Sequence, residues 1–203
     1  LSKIKELLLK NPVVENNIRI SLVYDLSSLP NVLIYFIPST YPTENQRING
    51  VLVRTLDAYR DNPNAKVENK TLRETADRII AESGCYEVLL VNNEGFITEG
   101  SRSNVFFIKD STFYTAPLSM VLGGITRLVV IEIINKHGLS LVETPVNIEQ
   151  IDEFDGAFLT GTSPGILPIS GIDDLKFNIN QSIVNLLVTN YNKRVQDDID
   201  NWN

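Results

Sequence analysis

The sequence predicts an α+β fold built on an antiparallel or mixed sheet. Two observations carry this prediction: apolar runs of strand length outnumber the helical patterns, and several of these runs are joined by short turns. The stretch 86–107 (YEVLLVNNEGFITEGSRSNVFF) shows both features, with a turn signal at 92–95 between two apolar runs. A hydrophobic content of 43% over 203 residues supports a packed core in one good-sized domain, or in one domain and part of another.

The first part of the chain has the pattern of the end of a domain. Residues 1–10 carry apolar side chains at helical spacing, and strand-like runs follow at 18–24 and 32–37. We therefore assign 1–37 to the remainder of a small N-terminal α/β domain. The first residue is Leu1 rather than Met, so we expect the natural protein to begin earlier.

A polar, proline-containing segment at 38–50 is predicted to be an interdomain linker. The rest, 51–203, is predicted to be a large domain with helices and many strands. A capping box at Thr71 and Glu74 predicts the start of one helix, which Gly84 ends. The remaining elements are predicted from their apolar patterns: strands at 112–115, 140–146 and 156–160, a helix after 121–127, and a last helix capped by Asn180.

The totals exclude several classes of function. A net charge of −7 and a pI near 4.8 argue against nucleic acid and anionic membranes as partners. The one cysteine, Cys85, excludes an internal disulfide and fits a reducing cytoplasm. One histidine, His137, and one cysteine are too few for a typical His/Cys metal site, and they leave little room for a histidine-activated nucleophile. No apolar run has membrane-spanning length, and no signal peptide is visible.

Three places have residues suited to a ligand. Glu99 ends an apolar strand beside Gly100, which permits close approach to the backbone. Taken in isolation, this stretch favours the alternative, a hairpin with an exposed turn acid. Ile125 and Thr126 stand at a loop-to-helix junction, where free N–H groups suit a phosphate. The alternative there is an ordinary N-cap by Thr126.

The third place is the turn at Thr162 and Ser163, which follows the strand-like run 156–160. Its small hydroxyl-bearing side chains are able to hold an anion. The alternative is a plain turn at the end of a strand.

Four motifs in order resemble those of the class IV aminotransferases, the fold type IV enzymes that use pyridoxal 5′-phosphate (PLP). They are KVEN at 66–69, TEGSRSN at 98–104, GITR at 124–127, and TGTS at 160–163 with ILPI at 166–169. The family includes branched-chain and D-amino acid aminotransferases and aminodeoxychorismate lyase. The resemblance covers about 19–174 and implies a D-amino acid aminotransferase-like fold, a PLP cofactor and a homodimer.

The resemblance also selects the lysine that binds the cofactor. Lys66 lies 18 residues before Gly84, the spacing of the family's Schiff-base lysine, and Asn69 completes its KxxN pattern. Lys70 then occupies a position where branched-chain enzymes carry a tyrosine near the cofactor ring. For either lysine the alternative is a solvated surface amine.

By the same resemblance, each site residue has an implied role. Lys66 is the catalytic residue and moves a proton during the reaction. Glu99 pairs with the pyridine nitrogen of PLP. The backbone N–H groups of Ile125 and Thr126, with the Thr162 hydroxyl, hold the phosphate, and Ser163 also borders the site. No metal is implied.

One family feature is absent from the sequence. The family's phosphate-binding arginine lies in the small domain, upstream of anything that matches Leu1. The function implied is transfer of an amino group between an α-amino acid, of branched-chain or D-amino acid type, and a 2-oxo acid. Two alternatives stay open: aminodeoxychorismate lyase, and a non-catalytic relative that acts as a binding or scaffold protein.

Overall fold

The computed structural model describes residues 2–11, 17–24, 29–58, 70–179 and 182–201. The chain forms two compact units, Leu1–Tyr41 and Pro42–Asn203. The first contains helix α1 (Ser2–Lys10) and the antiparallel strands β1 (Asn17–Val23) and β2 (Asn31–Ile37). The helix and both strands predicted for this part of the sequence are confirmed.

The second unit contains most of the secondary structure. Its described helices are α2 (Glu44–Asn49), α3 (Lys70–Ser83), α4 (Ile125–Lys136) and α5 (Ser182–Asp200), with a 3₁₀ helix at Ile148–Glu153. Its described strands are β3 (Val51–Asp57), β4 (Glu87–Val91), β5 (Phe96–Gly100), β6 (Asn104–Lys109), β7 (Thr112–Thr115), β8 (Ser140–Glu143), β9 (Val146–Asn147), β10 (Gly156–Gly161), β11 (Gly165–Ile172) and β12 (Leu175–Lys176).

The described strands of the second unit form one mixed sheet. Their order is β8-β7-β6-β10-β11-β3-β4-β5-β9, with β12 paired to β11. The pairs β11/β3, β3/β4 and β7/β8 are parallel, and the others are antiparallel. The predicted α+β class with a mixed sheet is confirmed.

The sheet curls, and one wrong strand prediction shows why. The predicted strand 140–146 is two strands, β8 and β9, which lie at opposite ends of the strand order. Only Thr144 and Pro145 connect them, so the two edges of the sheet must approach each other. Pro145 has no N–H to donate to a strand ladder, which explains the break.

Strand β6 is buried on both faces, which explains its continuous apolar sequence. Val105 and Phe107 belong to one core, whereas Phe106 and Ile108 belong to another. The second core also contains Phe158 of β10, whose ring stacks on Phe106 with centroids 5.1 Å apart. Apolar residues of α4 and α5 complete this second core, so both helices cover that face of the sheet.

The ends of α3 test two sequence predictions. The structure describes this helix from Lys70, so Thr71 lies inside it and the predicted capping box is wrong. Glu74 instead approaches Lys70, one turn earlier, at 3.8 Å. Gly84 ends the helix as predicted, with φ +68° and its N–H donating to Ile80 O at 2.9 Å.

Helix α2 occupies part of the segment 38–50, the predicted linker. Thr43 caps it, and the Thr43 N–H donates to Gln46 Oε1 at 2.9 Å. The predicted domain boundaries at 37 and 51 stay a prediction. Asn180, the predicted cap of α5, lies outside the described residues. In the part of the chain that the structure describes, no helix combines the length and the apolar character needed to cross a bilayer.

Candidate active site

The candidate site starts at a β-bulge between β4 and β5. Leu89 is paired with Gly100 and Val91 with Ile97, so Thr98 and Glu99 together lie opposite Leu90. An extra residue on one strand bends the strand and re-aims its side chains, and such bulges are frequent beside functional sites. Here the bulge falls at Glu99, the predicted cofactor-binding carboxylate.

Glu99 is buried, with 3% of its surface exposed. Its Oε2 accepts a hydrogen bond from the Leu122 N–H at 3.1 Å. The alternative of an exposed turn acid is therefore wrong. The sequence did not predict the contact with Leu122, which lies 23 residues further along the chain.

Asn104 holds the same loop from the neighbouring strand. Its Nδ2 donates to Leu122 O at 2.9 Å, and the Gly124 N–H donates to that carbonyl at 2.8 Å. A Cβ added to Gly124 would clash with the Asn104 amide oxygen, so the backbone approaches this side chain closely. Glu99 and Asn104 thus fix both polar groups of the Leu122 backbone, two residues before the N-cap of α4.

The start of α4 is the predicted loop-to-helix junction. Gly124 is its N-cap and provides no side-chain cap, so the alternative of an N-cap by Thr126 is wrong. The first N–H groups of a helix have no acceptor within the helix and lie at the positive end of its dipole. The Ile125 side chain is 77% exposed, whereas Thr126 is buried. The Thr126 and Tyr191 hydroxyls are 3.4 Å apart.

The second predicted turn lies between β10 and β11. Thr162 is exposed and Ser163 is partly buried. The Tyr191 ring lies 3.4 Å from a Cβ built on Gly165, so α5 contacts both this turn and the start of α4. The turn at Thr162 and the helix start at Thr126 are therefore joined through one tyrosine.

Thr160 precedes this turn and is 1% exposed. It is paired with Asn104 across β10 and β6, and residues directly opposite in an antiparallel pair point to the same face. Its side chain therefore lies on the face that carries the Leu122 loop. Among the described residues, the buried Thr160 hydroxyl has no hydrogen-bond partner. A buried polar atom of this kind suits a bound polar group.

The two candidate lysines differ in what the structure describes. Lys66 lies outside the described residues, as does Asn69 of its motif. Lys70 is exposed on α3 and forms an ion pair with Glu74 at 3.8 Å. Its alternative, a solvated surface amine, fits this geometry. Thus Glu99, Thr126, Thr162 and Ser163 lie in segments that contact one another through Leu122, Asn104 and Tyr191, while Lys66 stays a prediction.

Sequence reasoning missed Glu87, which is 4% exposed at the start of β4. The signal was present, because a carboxylate within the apolar run CYEVLLV must find partners when the strand is buried. Its neighbour Tyr86 is half-buried, and this burial raises the pKa of the Tyr86 hydroxyl, with a smaller contribution from the charge of Glu87.

Known proteins match both the sequence and the fold. Residues 1–172 match the family model described as amino-transferase class IV. A Rickettsia felis protein named "Probable branched-chain-amino-acid aminotransferase" is 36% identical over 154 residues, which cover 73% of this chain and 52% of the relative. A D-alanine aminotransferase of Bacillus licheniformis is 30% identical over 155 residues, which cover 74% of this chain and 53% of the relative.

The fold matches a solved enzyme of this type. The structure of a branched-chain aminotransferase from the archaeon Thermoproteus uzoniensis, with norvaline, aligns with a TM-score of 0.73 and 28% identity, over 85% of this chain and 60% of that one. This match confirms the fold type IV architecture. The chain spans about half the length of the curated relatives it matches. The match to the family model covers most of the chain, which therefore belongs to the class IV aminotransferase family.

Proposed function

We propose that the protein is a PLP-dependent aminotransferase that moves an amino group between an α-amino acid and a 2-oxo acid. One observation carries the proposal: the buried Glu99 carboxylate is hydrogen-bonded to Leu122, at the loop that leads into the N-terminus of α4. This arrangement places a carboxylate that suits the ring nitrogen of PLP next to a helix N-terminus that suits its phosphate. The names of the relatives in Rickettsia felis and Bacillus licheniformis support the same reaction.

The described residues fit the phosphate of such a cofactor. The first turn of α4 offers the N–H groups of Ile125 and Thr126 beyond a glycine N-cap, and anions bind at helix N-termini. The Thr162 hydroxyl and the adjoining Ser163 belong to the second turn. The buried Thr160 hydroxyl, which lacks a partner among the described residues, is a further donor on the face of the Leu122 loop. We therefore assign phosphate binding to these two segments.

Two side chains carry the chemistry in this proposal. When bound, PLP supplies an electron sink for the carbanion formed at the substrate Cα. Glu99 holds a proton at the pyridine nitrogen, which strengthens that sink. Lys66 would hold the cofactor through its ε-amine and would move the proton at the substrate Cα. Its amine must be deprotonated to attack the cofactor aldehyde.

The substrate class in the proposal is a branched-chain or D-amino acid. The GTS turn at 161–163 and the ILPI stretch at 166–169 support this choice over the lyase, as do the names of the relatives. The alternative, aminodeoxychorismate lyase, uses the same lysine but releases pyruvate without a 2-oxo acid acceptor. The two reactions therefore differ in their products.

The proposal extends to a homodimer in the cytoplasm that acts on small molecules and binds neither nucleic acid nor membranes. The acidic composition supports the last part, and the free, buried Cys85 is compatible with a reducing compartment. The homodimer rests on the family resemblance. Light scattering on the purified natural protein tests it, and a monomer at working concentration would contradict it.

Product analysis on the PLP-loaded natural protein tests the reaction. We expect L-leucine or D-alanine to convert the cofactor to its amino form and to yield one equivalent of the matching 2-oxo acid per site. A second 2-oxo acid then restores the original absorption spectrum. Pyruvate released from aminodeoxychorismate without an acceptor would replace the proposal by the lyase. If the folded protein does not bind PLP, the result would favour the other alternative, a non-catalytic relative that acts as a binding or scaffold protein.

A further inference from the structure

The Glu87 carboxylate accepts four hydrogen bonds. Oε1 accepts from the Val88 N–H at 2.8 Å and from Ser101 Oγ at 2.7 Å, and Oε2 accepts from the Arg102 N–H at 3.1 Å and from Ser103 Oγ at 3.0 Å. An ionised carboxylate offers about four lone-pair positions, so these donors fill its capacity. The hydrogen bonds offset the large cost of burying such a group.

Three of the four donors belong to one loop, 101–103, which joins β5 to β6. Each residue of the loop contributes one donor, so the carboxylate fixes the whole segment. The loop is also packed on Glu87, since a Cβ added to Gly100 would lie 3.1 Å from Glu87 Cγ and would clash with Ser103 Oγ. Gly100 is therefore required for this contact.

The loop separates the two side chains that hold Leu122. Glu99 precedes it and accepts from the Leu122 N–H at 3.1 Å, and Asn104 follows it and donates to the Leu122 carbonyl at 2.9 Å. The distance between these two side chains depends on the conformation of 101–103. Glu87 contacts neither Glu99 nor Leu122 through any of its four hydrogen bonds, and three of the four go to the loop between Glu99 and Asn104.

We infer that Glu87 is a positioning residue of the site: by holding 101–103 it sets Glu99 and Asn104 at the spacing that fixes Leu122 and the start of α4. The inference rests on the proposed function, because the positioned groups are those assigned to the cofactor. Glu87 itself does not touch the reacting atoms. Its substitution therefore changes the cofactor site by moving other residues.

A second contact on the same loop provides a matched control. The Arg102 guanidinium pairs with Asp77 on α3, and both side chains are about half exposed. Exposed ion pairs contribute little to stability. Asp77→Asn therefore alters the same loop from its solvent side and leaves the buried carboxylate intact.

The experiment compares Glu87→Gln with Asp77→Asn in the apoprotein by amide hydrogen exchange. Glutamine keeps the shape but replaces one acceptor oxygen by an NH₂ donor, which opposes the donors of the loop. We expect the Arg102 and Leu122 amides to exchange about tenfold faster or more in Glu87→Gln, and at the wild-type rate in Asp77→Asn. The Leu159 amide in β10 reports global unfolding, and its rate should not change.

The cofactor provides a second readout. We expect Glu87→Gln to weaken PLP binding about tenfold or more and to shift the pH dependence of the cofactor absorption, because the ring contact of Glu99 is displaced. Asp77→Asn should bind PLP as the wild type does. A purely structural role would lower stability without changing the absorption of protein that remains folded.

The outcomes separate this inference from the proposed function. Faster exchange at both Arg102 and Leu122, with Leu159 unchanged, supports the positioning role. Faster exchange at Arg102 alone overturns it, since the effect then stops within the loop. Wild-type protein that does not bind PLP refutes the proposed function, and the exchange rates of the apoprotein still decide the inference. If Glu87→Gln does not fold, Ser103→Ala removes one donor from the other side and is subject to the same criteria.

Discussion

Glu99 has two tasks that substitution can separate. Its Oε2 accepts from the Leu122 N–H at 3.1 Å, which needs an acceptor oxygen. Its proposed role at the pyridine nitrogen needs a negative charge. Glutamine keeps the acceptor and removes the charge, whereas alanine removes both. The two variants therefore report on different functions of one side chain.

We predict that Glu99→Gln and Glu99→Ala both keep PLP bound but lower kcat by about a hundredfold or more, since stabilisation of charge in such sites is commonly worth about 3 kcal/mol. Glu99→Ala should bind PLP more weakly than Glu99→Gln, because it also releases Leu122. Steady-state kinetics and PLP titration measure both effects. The control is Glu94→Gln, which changes an exposed glutamate in the same hairpin. A near-normal kcat in Glu99→Ala would remove Glu99 from the mechanism.

Tyr86 provides a prediction on pH. Burial is the main cause of its raised pKa, so the folded state holds the phenolic proton more tightly than the unfolded state. The resulting stability is fully present below the ordinary tyrosine pKa of about 10 and is lost as pH rises through the folded value. We predict that Tyr86→Phe reduces the fall in Tm between about pH 9.5 and 11. An identical fall in both proteins would contradict this linkage.

At the scale of the residue, the sequence predicted identities better than contacts. Glu99 was recognised beside Gly100 within the motif at 98–104. Its partner Leu122 carries no chemical signal, because the contact uses a backbone N–H that every residue except proline has. Glu87 was missed for a related reason: three of its four donors lie 14 to 16 residues away, in a loop whose path is not fixed by local pattern.

Among the elements, the start of α4 is constrained by close contacts. Gly124 has φ −64°, which any residue adopts. Glycine is therefore needed at this position because there is no room for a Cβ, and not because of the backbone conformation. A Cβ there would meet the buried Asn104 amide, which is already held by Leu122. Gly123 is different, because its Cβ would lie 3.3 Å from the flexible end of the Leu118 side chain.

We therefore predict that Gly124→Ala lowers the free energy of unfolding by about 1–3 kcal/mol and weakens PLP binding, since the Asn104 amide must give up its position. Gly123→Ala, the adjacent control, should change both quantities much less. Urea unfolding and PLP titration measure the two effects. Equal stability of Gly124→Ala and wild type would show that the close approach has no energetic consequence.

Some elements could be predicted from residues close to them in the sequence, and others could not. The β4–β5 hairpin and the Gly84 stop were predictable, because turn residues and alternation lie within a few positions. The division of 140–146 into β8 and β9 was not, since each half pairs with a strand that lies elsewhere in the sequence, β7 and β5. Pro145 was the local sign of the break, because proline has no N–H to donate to a strand ladder. Strand partners are set by tertiary packing, which no short window contains.

Taken as a whole, the second unit is a curled mixed sheet that brings three separate loops together. Glu99 and Asn104, on either side of loop 101–103, hold Leu122 in the loop before α4, and Tyr191 contacts both Thr126 at the start of α4 and the turn at Gly165. None of these segments is close to the others in sequence, so the site depends on the strand order. The order could not be predicted from composition or periodicity, whereas the α+β class could. The family motifs predict the site residues because their spacing reflects this shared fold.

The central claim is that Lys66 is the lysine that binds PLP, and this claim stays a prediction because Lys66 lies outside the described residues. The natural protein is incubated with PLP and reduced with borohydride, and the modified peptide is identified by mass spectrometry. We predict a pyridoxyl group on Lys66, its loss in Lys66→Ala and its retention in Lys70→Ala. A pyridoxyl group on Lys70, which is exposed and paired with Glu74, would contradict the assignment of the lysine. No adduct on folded protein would contradict the proposed function itself.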